Sequence, residues 1–130
     1  MNDSISKDLP NMPLFQAVVC HVMTQTQTAF PNKIDISCST LAHMLINQGG
    51  FNCDSALNLA IEISAAIDWL EKAGLIWFGG HELNDYFDVT LSKHALAKLL
   101  SDINGSNLAA QLAKATTSEQ QLAVVKQLIA

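Results

Sequence analysis

The chain has 130 residues, nearly half of them hydrophobic, and a formal charge of minus five, which suits one compact domain that needs neither disulfides nor a metal to close its core. No apolar run approaches the roughly 20 residues of a membrane span, and the opening residues MNDSISKDLPNMP carry acidic side chains and no apolar signal core, so a soluble, cytoplasmic protein is expected. All seven basic residues are lysine; the missing arginine is the residue that most often reads guanine and clamps phosphate, which weighs against a nucleic-acid partner.

Residues 1–12 are polar, contain Pro10 and lack periodicity, so they read as a mobile tail. Pro13 suits a first helical turn, and Leu14, Phe15, Val18, Val19 and Val22 follow at helical spacing up to about Thr28, before Pro31. Residues 34–37 alternate as a short strand. Ser37 or Ser39 can cap a second helix carrying Leu41, Ala42, Leu45 and Ile46, which Gln48, Gly49 and Gly50 end. Asp54 is the expected cap of a third helix that runs to Ala73 and stops at Gly74.

That third helix has two apolar sides. At about 100° per residue, Leu59, Ile63, Ala66, Ile67 and Leu70 fall on one side, assigned to the core. Leu57, Ile61, Ala65 and Trp69 recur every four residues on the other, interleaved with Asn58, Glu62, Asp68 and Lys72. A helix with two apolar stripes is usually covered twice. Residues 75–78 make a strand that is apolar on both faces, 79–85 a loop, and 86–91 a return strand in which Phe87, Val89 and Leu91 alternate with Tyr86, Asp88 and Thr90. Ser92 caps a fourth helix with Ala95, Leu96, Leu99 and Leu100, ending near Asn104-Gly105. Helical stretches follow at 108–115 and 119–129, the second with Ser118 and Gln121 in capping-box register. Each is too short to stand alone in water and must pack on something.

Leu70-Glu71-Lys72-Ala73-Gly74-Leu75-Ile76, followed some fifteen residues later by Val89-Thr90-Leu91-Ser92 and a helix, resembles the winged-helix superfamily of bacterial regulators. In that family the first phrase closes the recognition helix and opens the wing, and the second is the return strand. The resemblance covers about residues 14–102, and the C-terminal extension is similar to that of uncharacterised, often prophage-associated, winged-helix proteins. It implies a mostly α (α+β) fold: a tail at 1–12, a winged-helix domain at 13–104 with a small β wing, and a helical extension at 105–130 packed on the domain or on a partner. The sequence departs from the family in the long stretch between Leu41 and Leu70, and in charge. From Ile34 to Ser92 there are eight carboxylates, among them Glu62, Asp68, Glu82, Asp85 and Asp88, against Lys72 alone. Such a surface repels DNA, whose affinity for proteins comes largely from lysine and arginine displacing counterions.

Chemistry-bearing motifs are absent from the pattern. Cys20, Cys38 and Cys53 form an odd set without CxxC spacing, and neither they nor His21, His43, His81 and His94 stand in metal-ligand register, so no metal site is expected. Gly49-Gly50 and Gly79-Gly80 sit in turns without the pattern of a phosphate-binding loop. No catalytic residue and no cofactor is therefore assigned. Leu57, Ile61, Ala65 and Trp69 have two readings: core covered by the chain's own C-terminal helices, or a subunit or partner interface. Trp77, Phe78 and Tyr86 share the ambiguity. The expectation is a non-catalytic module acting through protein association, with a homodimer as its form. The alternative is a dimeric winged-helix transcriptional regulator whose DNA contacts would be Lys33, Lys93 and Lys98.

Overall fold

The computed structural model describes residues 9–49, 51, 55–103 and 105–130. The chain is mixed α+β and mostly helical. Helix α1 (Met12–Ala29) leads to strand β1 (Ile34–Ser37), helix α2 (Cys38–Asn47) and helix α3 (Ala56–Lys72). Strands β2 (Ile76–Trp77), β3 (Gly80–Glu82) and β4 (Asp85–Leu91) follow, then helix α4 (Lys93–Leu99). A small hairpin, β5 (Asp102–Ile103) and β6 (Ser106–Asn107), precedes helices α5 (Leu108–Lys114) and α6 (Ser118–Ile129).

Every helix except α1 begins where a short polar side chain satisfies an orphaned N–H group; Asn11, ahead of α1, makes no side-chain cap bond. Ser37 accepts from Thr40 N–H, Ser55 from Asn58 N–H and Asn107 from Ala110 N–H. Asp54, the expected cap of α3, lies outside the described residues, and Ser55 carries the cap bond. At α6 the capping box is one residue earlier than expected, because Thr117 and Gln120 bond reciprocally instead of Ser118 and Gln121. Helix α4 ends at Leu99 rather than near 104, and the β5–β6 hairpin takes up the following residues.

Strand β4 is the spine of the four-stranded antiparallel sheet: β1 pairs along one edge, β2 and β3 along the other. The segment expected as a loop at 79–85 is mostly strand; Gly80–Glu82 pairs with 85–87 and leaves only Leu83 and Asn84 as the turn. The expected alternation in β4 also breaks. Ile34 opposes Val89 and Ile36 opposes Tyr86, so β4 spends one residue more than β1 over the same span, a β-bulge. Asp88 takes the left-handed conformation there, φ 58°, and its N–H donates to Asp35 Oδ1 at 3.1 Å. The extra residue shifts the phase: Tyr86 turns inward, Phe87 and Asp88 outward, and Val89 and Leu91 inward again. Glycine gives room opposite the bulge, since a Cβ on Gly79 would meet Asp88 Cβ at 3.2 Å and Oδ2 at 3.1 Å and the Asp88 side chain would have to give way.

One core holds everything. Val18, Val19, Val22 and Met23 of α1 pack with Ile63, Ile67 and Leu70 of α3, Val89 of β4, and Leu108, Leu112, Val125 and Leu128 of the C-terminal helices. Residues 105–130 are therefore part of the same packed unit. Buried Gln16 of α1 fastens them, its Nε2 donating to Ser118 O at 3.1 Å and lying 3.3 Å from Ser118 Oγ. Gln27 Nε2 donates to Ala109 O at 3.3 Å about three turns further along the same helix.

Candidate protein-binding face

Helix α3 is fixed at both ends and along one side. Its C-terminus is a complete Schellman closure: Leu75 N–H donates to Leu70 O and Gly74 N–H to Glu71 O, each at 3.0 Å. Gly74 sits at φ 79°, where a side chain would be strained. Ser92 then ties this turn to the next helix. Its hydroxyl donates to Gly74 O and accepts from Ala95 N–H, while its own N–H donates to Leu75 O. The core side, Leu59, Ile63, Ile67 and Leu70, is buried.

Midway along α3, Tyr86 of β4 reaches the helix. Its hydroxyl accepts from Ser64 Oγ at 2.6 Å and donates to Asp68 Oδ1 at 2.8 Å, with Ser64 O at 3.0 Å as a second acceptor. Its ring stacks on His81 at 4.2 Å and meets Phe78 edge-on at 5.0 Å. Burial holds the Tyr86 hydroxyl above the ordinary tyrosine range; Asp68 pushes the same way through its hydrogen bond and charge, and the Ser64 bond acts in opposition.

The outer side of α3 is open. Leu57 is 62% exposed, Ile61 54% and Trp69 45%, with Ala65 exposed between them. The C-terminal helices dock mainly on α1 and leave this stripe uncovered. Trp69 is held edge-on by Phe15 of α1, ring centroids 5.3 Å apart. Beside it lies an apolar groove of about 550 Å³, walled by Leu9, Met12, Phe15, Ala65, Trp69 and Ile129. Glu62 edges the groove, and Glu71 and Lys72 are exposed beyond it.

The seven expected interface residues therefore separate. Leu57, Ile61, Ala65 and Trp69 form one continuous face. Trp77, 55% exposed on β2, instead shares a shallow hollow with Lys93 and His94 on another part of the molecule. Phe78 is half-buried, and Tyr86, with no exposed surface, is withdrawn from any contact surface because its ring fills the sheet–helix joint. The groove wall was missed by sequence reasoning: Leu9 and Met12 fall in the stretch read as tail, yet Met12 opens α1 and its N–H donates to Leu9 O. Comparison with protein-family models, with curated proteins and with solved structures finds no match.

Of the candidate cations, Lys33 is exposed in the connection between α1 and β1 and Lys93 at the start of α4, and Lys98 Nζ donates to Ala130 O at 2.8 Å and Gln127 O at 3.4 Å. Cys20 and Cys38 are buried free thiols. Burial raises Cys20 to about 11; burial, then Asp85 and Asp68, raises Cys38 to about 12, far from the range of a reactive thiolate. His21 is lowered by burial. Among the described residues no three His, Cys, Asp or Glu side chains gather to hold a metal, and no helix is long and apolar enough to cross a membrane.

Proposed function

We propose that the chain is a non-catalytic, regulatory module of winged-helix type that works through protein–protein association, chiefly with itself. In this reading β2, β3 and the return strand β4 are the wing, and α3 stands where a DNA-reading helix would stand. The observation that carries it is the outer side of α3: three large apolar side chains in water, bordered by Glu62 and Glu71. Exposed apolar patches of this kind mark association surfaces, whereas duplex DNA selects surfaces rich in lysine and arginine. Lys72 is the single cation of α3.

Two titrations on the full chain test the reading. Light scattering over a concentration series should show reversible self-association, and anisotropy of labelled duplex DNA at low salt should show none. Tight DNA binding that weakens steeply as salt rises would overturn it in favour of a winged-helix DNA-binding regulator.

A further inference from the structure

The open side of α3 carries both halves of a self-complementary contact. Leu57 projects near the start of the helix, and the apolar groove opens beside Trp69 near its end. The spacing relates them: Leu57 and Trp69 each stand six residues from Ile63, and Ile61 and Ala65 each stand two from it. A two-fold axis at the level of residue 63 that reverses the helix direction exchanges the members of each pair.

We infer that the occupant of this face is a second copy of the chain, α3 against α3 in antiparallel sense. Leu57 of each copy seats in the groove beside Trp69 of the other, and Ile61 of each meets Ala65 of the other. This rests on the reading of the face as an association surface and specifies its partner and register. Three physical arguments carry it. Shape comes first: a bulky residue opposes a small one at the centre, and the 550 Å³ groove readily admits a leucine side chain. Rows of residues four apart on two helices interlock at a crossing of about 50°, so the stripes themselves fix the angle.

Charge is the second argument. A parallel pairing sets Glu62 against Glu62 and Asp68 against Asp68, while the antiparallel register sets Glu62 level with a serine and Asp68 level with Asn58, whose amide donates to a carboxylate. Area is the third. The exposures of Leu9, Leu57, Ile61, Trp69 and Ile129 amount to roughly 500 Å² of apolar surface, enough for the dry centre of an interface burying about 800 Å² per partner. An isologous contact of this kind closes as a dimer and exposes no further copy of the face.

The test uses the full chain with Cys53→Ser. Sedimentation equilibrium should give a monomer–dimer equilibrium, and Ile61→Asp, at a position already exposed, should raise the dimer dissociation constant about tenfold or more with unchanged circular dichroism. Mixing an Ile61→Cys chain with an Ala65→Cys chain under mild oxidation should then give the mixed disulfide in at least about tenfold excess over either homodisulfide. A strictly monomeric protein overturns both the inference and the association reading. A dimer indifferent to Ile61→Asp overturns the use of this face. A dimer weakened by Ile61→Asp but cross-linking as homodisulfides overturns the antiparallel register and leaves the association reading standing.

Discussion

Replacing Tyr86 with phenylalanine deletes one oxygen from the joint between β4 and α3 and leaves the ring packing intact. The hydroxyl proton goes to Asp68 Oδ1 at 2.8 Å, and the oxygen accepts from Ser64 Oγ at 2.6 Å. A hydrogen bond to a charged group contributes about 1.5–3 kcal/mol, and a neutral one about 1 kcal/mol. Asp68 is half-buried and regains water when its partner goes, which returns part of this. The net expected loss is about 2–3 kcal/mol, a fall of about 1–1.5 M in urea midpoint at a slope near 2 kcal/mol/M. A loss below about 0.5 kcal/mol would refute the clamp. The same oxygen gives an independent reading, because Tyr86 is the chain's single tyrosine. Its ionisation is raised in the folded state, so above pH ~10 the unfolded chain releases a proton that the folded chain keeps. Stability therefore falls as pH climbs past the ordinary tyrosine value, by up to ~1.4 kcal/mol per pH unit from this group, and Tyr86→Phe lacks that component. Tyrosinate absorbance rising with a midpoint near pH ~10 while the far-ultraviolet circular dichroism stays native would contradict the burial.

Leu83 is 87% exposed at φ 54° in the β3–β4 turn, with His81 Nε2 donating to its carbonyl at 2.6 Å. Leu83→Gly removes the left-handed penalty without losing packing and should stabilise by about 0.5–1 kcal/mol in urea unfolding; a destabilised variant would mean that the leucine side chain has a partner. Ser92→Ala opens both the cap of α4 and the hold on Gly74 O, an expected loss of about 2 kcal/mol, whereas Ser92→Thr should retain most of it. In a Cys53→Ser chain, Cys20 and Cys38 should label with a thiol reagent at neutral pH at least about a hundredfold more slowly than in denaturant. Rapid labelling of a chain with native circular dichroism would refute their burial.

Wherever one local rule dominated, the sequence was legible. Caps, glycine stops and 3.6-residue periodicity placed α1, α2 and α3 closely, and the two apolar stripes of α3 were visible as a pattern. What local pattern could not decide was which stripe the chain covers. That depends on α1, whose Val18, Val19, Val22 and Met23 are all fully buried and draw the C-terminal helices away from α3. The phase of β4 was hidden for a related reason: the bulge is held by Asp35, 53 residues away, and strict alternation carries no sign of an inserted residue. Strand β3 begins at a glycine and offers no apolar alternation at all. The groove beside Trp69 joins Leu9, Phe15 and Ile129 from opposite ends of the chain, so no window of sequence contains it.

The Gln16–Ser118 fastening spans 102 residues, and it has a consequence for the order in which the molecule is assembled. A chain growing from its N-terminus makes α1 about a hundred residues before Ser118, Val125 and Leu128, on which one side of that helix packs. Helix α1 is thus completed only after α6 has emerged, and until then that apolar side stays available to chaperones or to wrong partners.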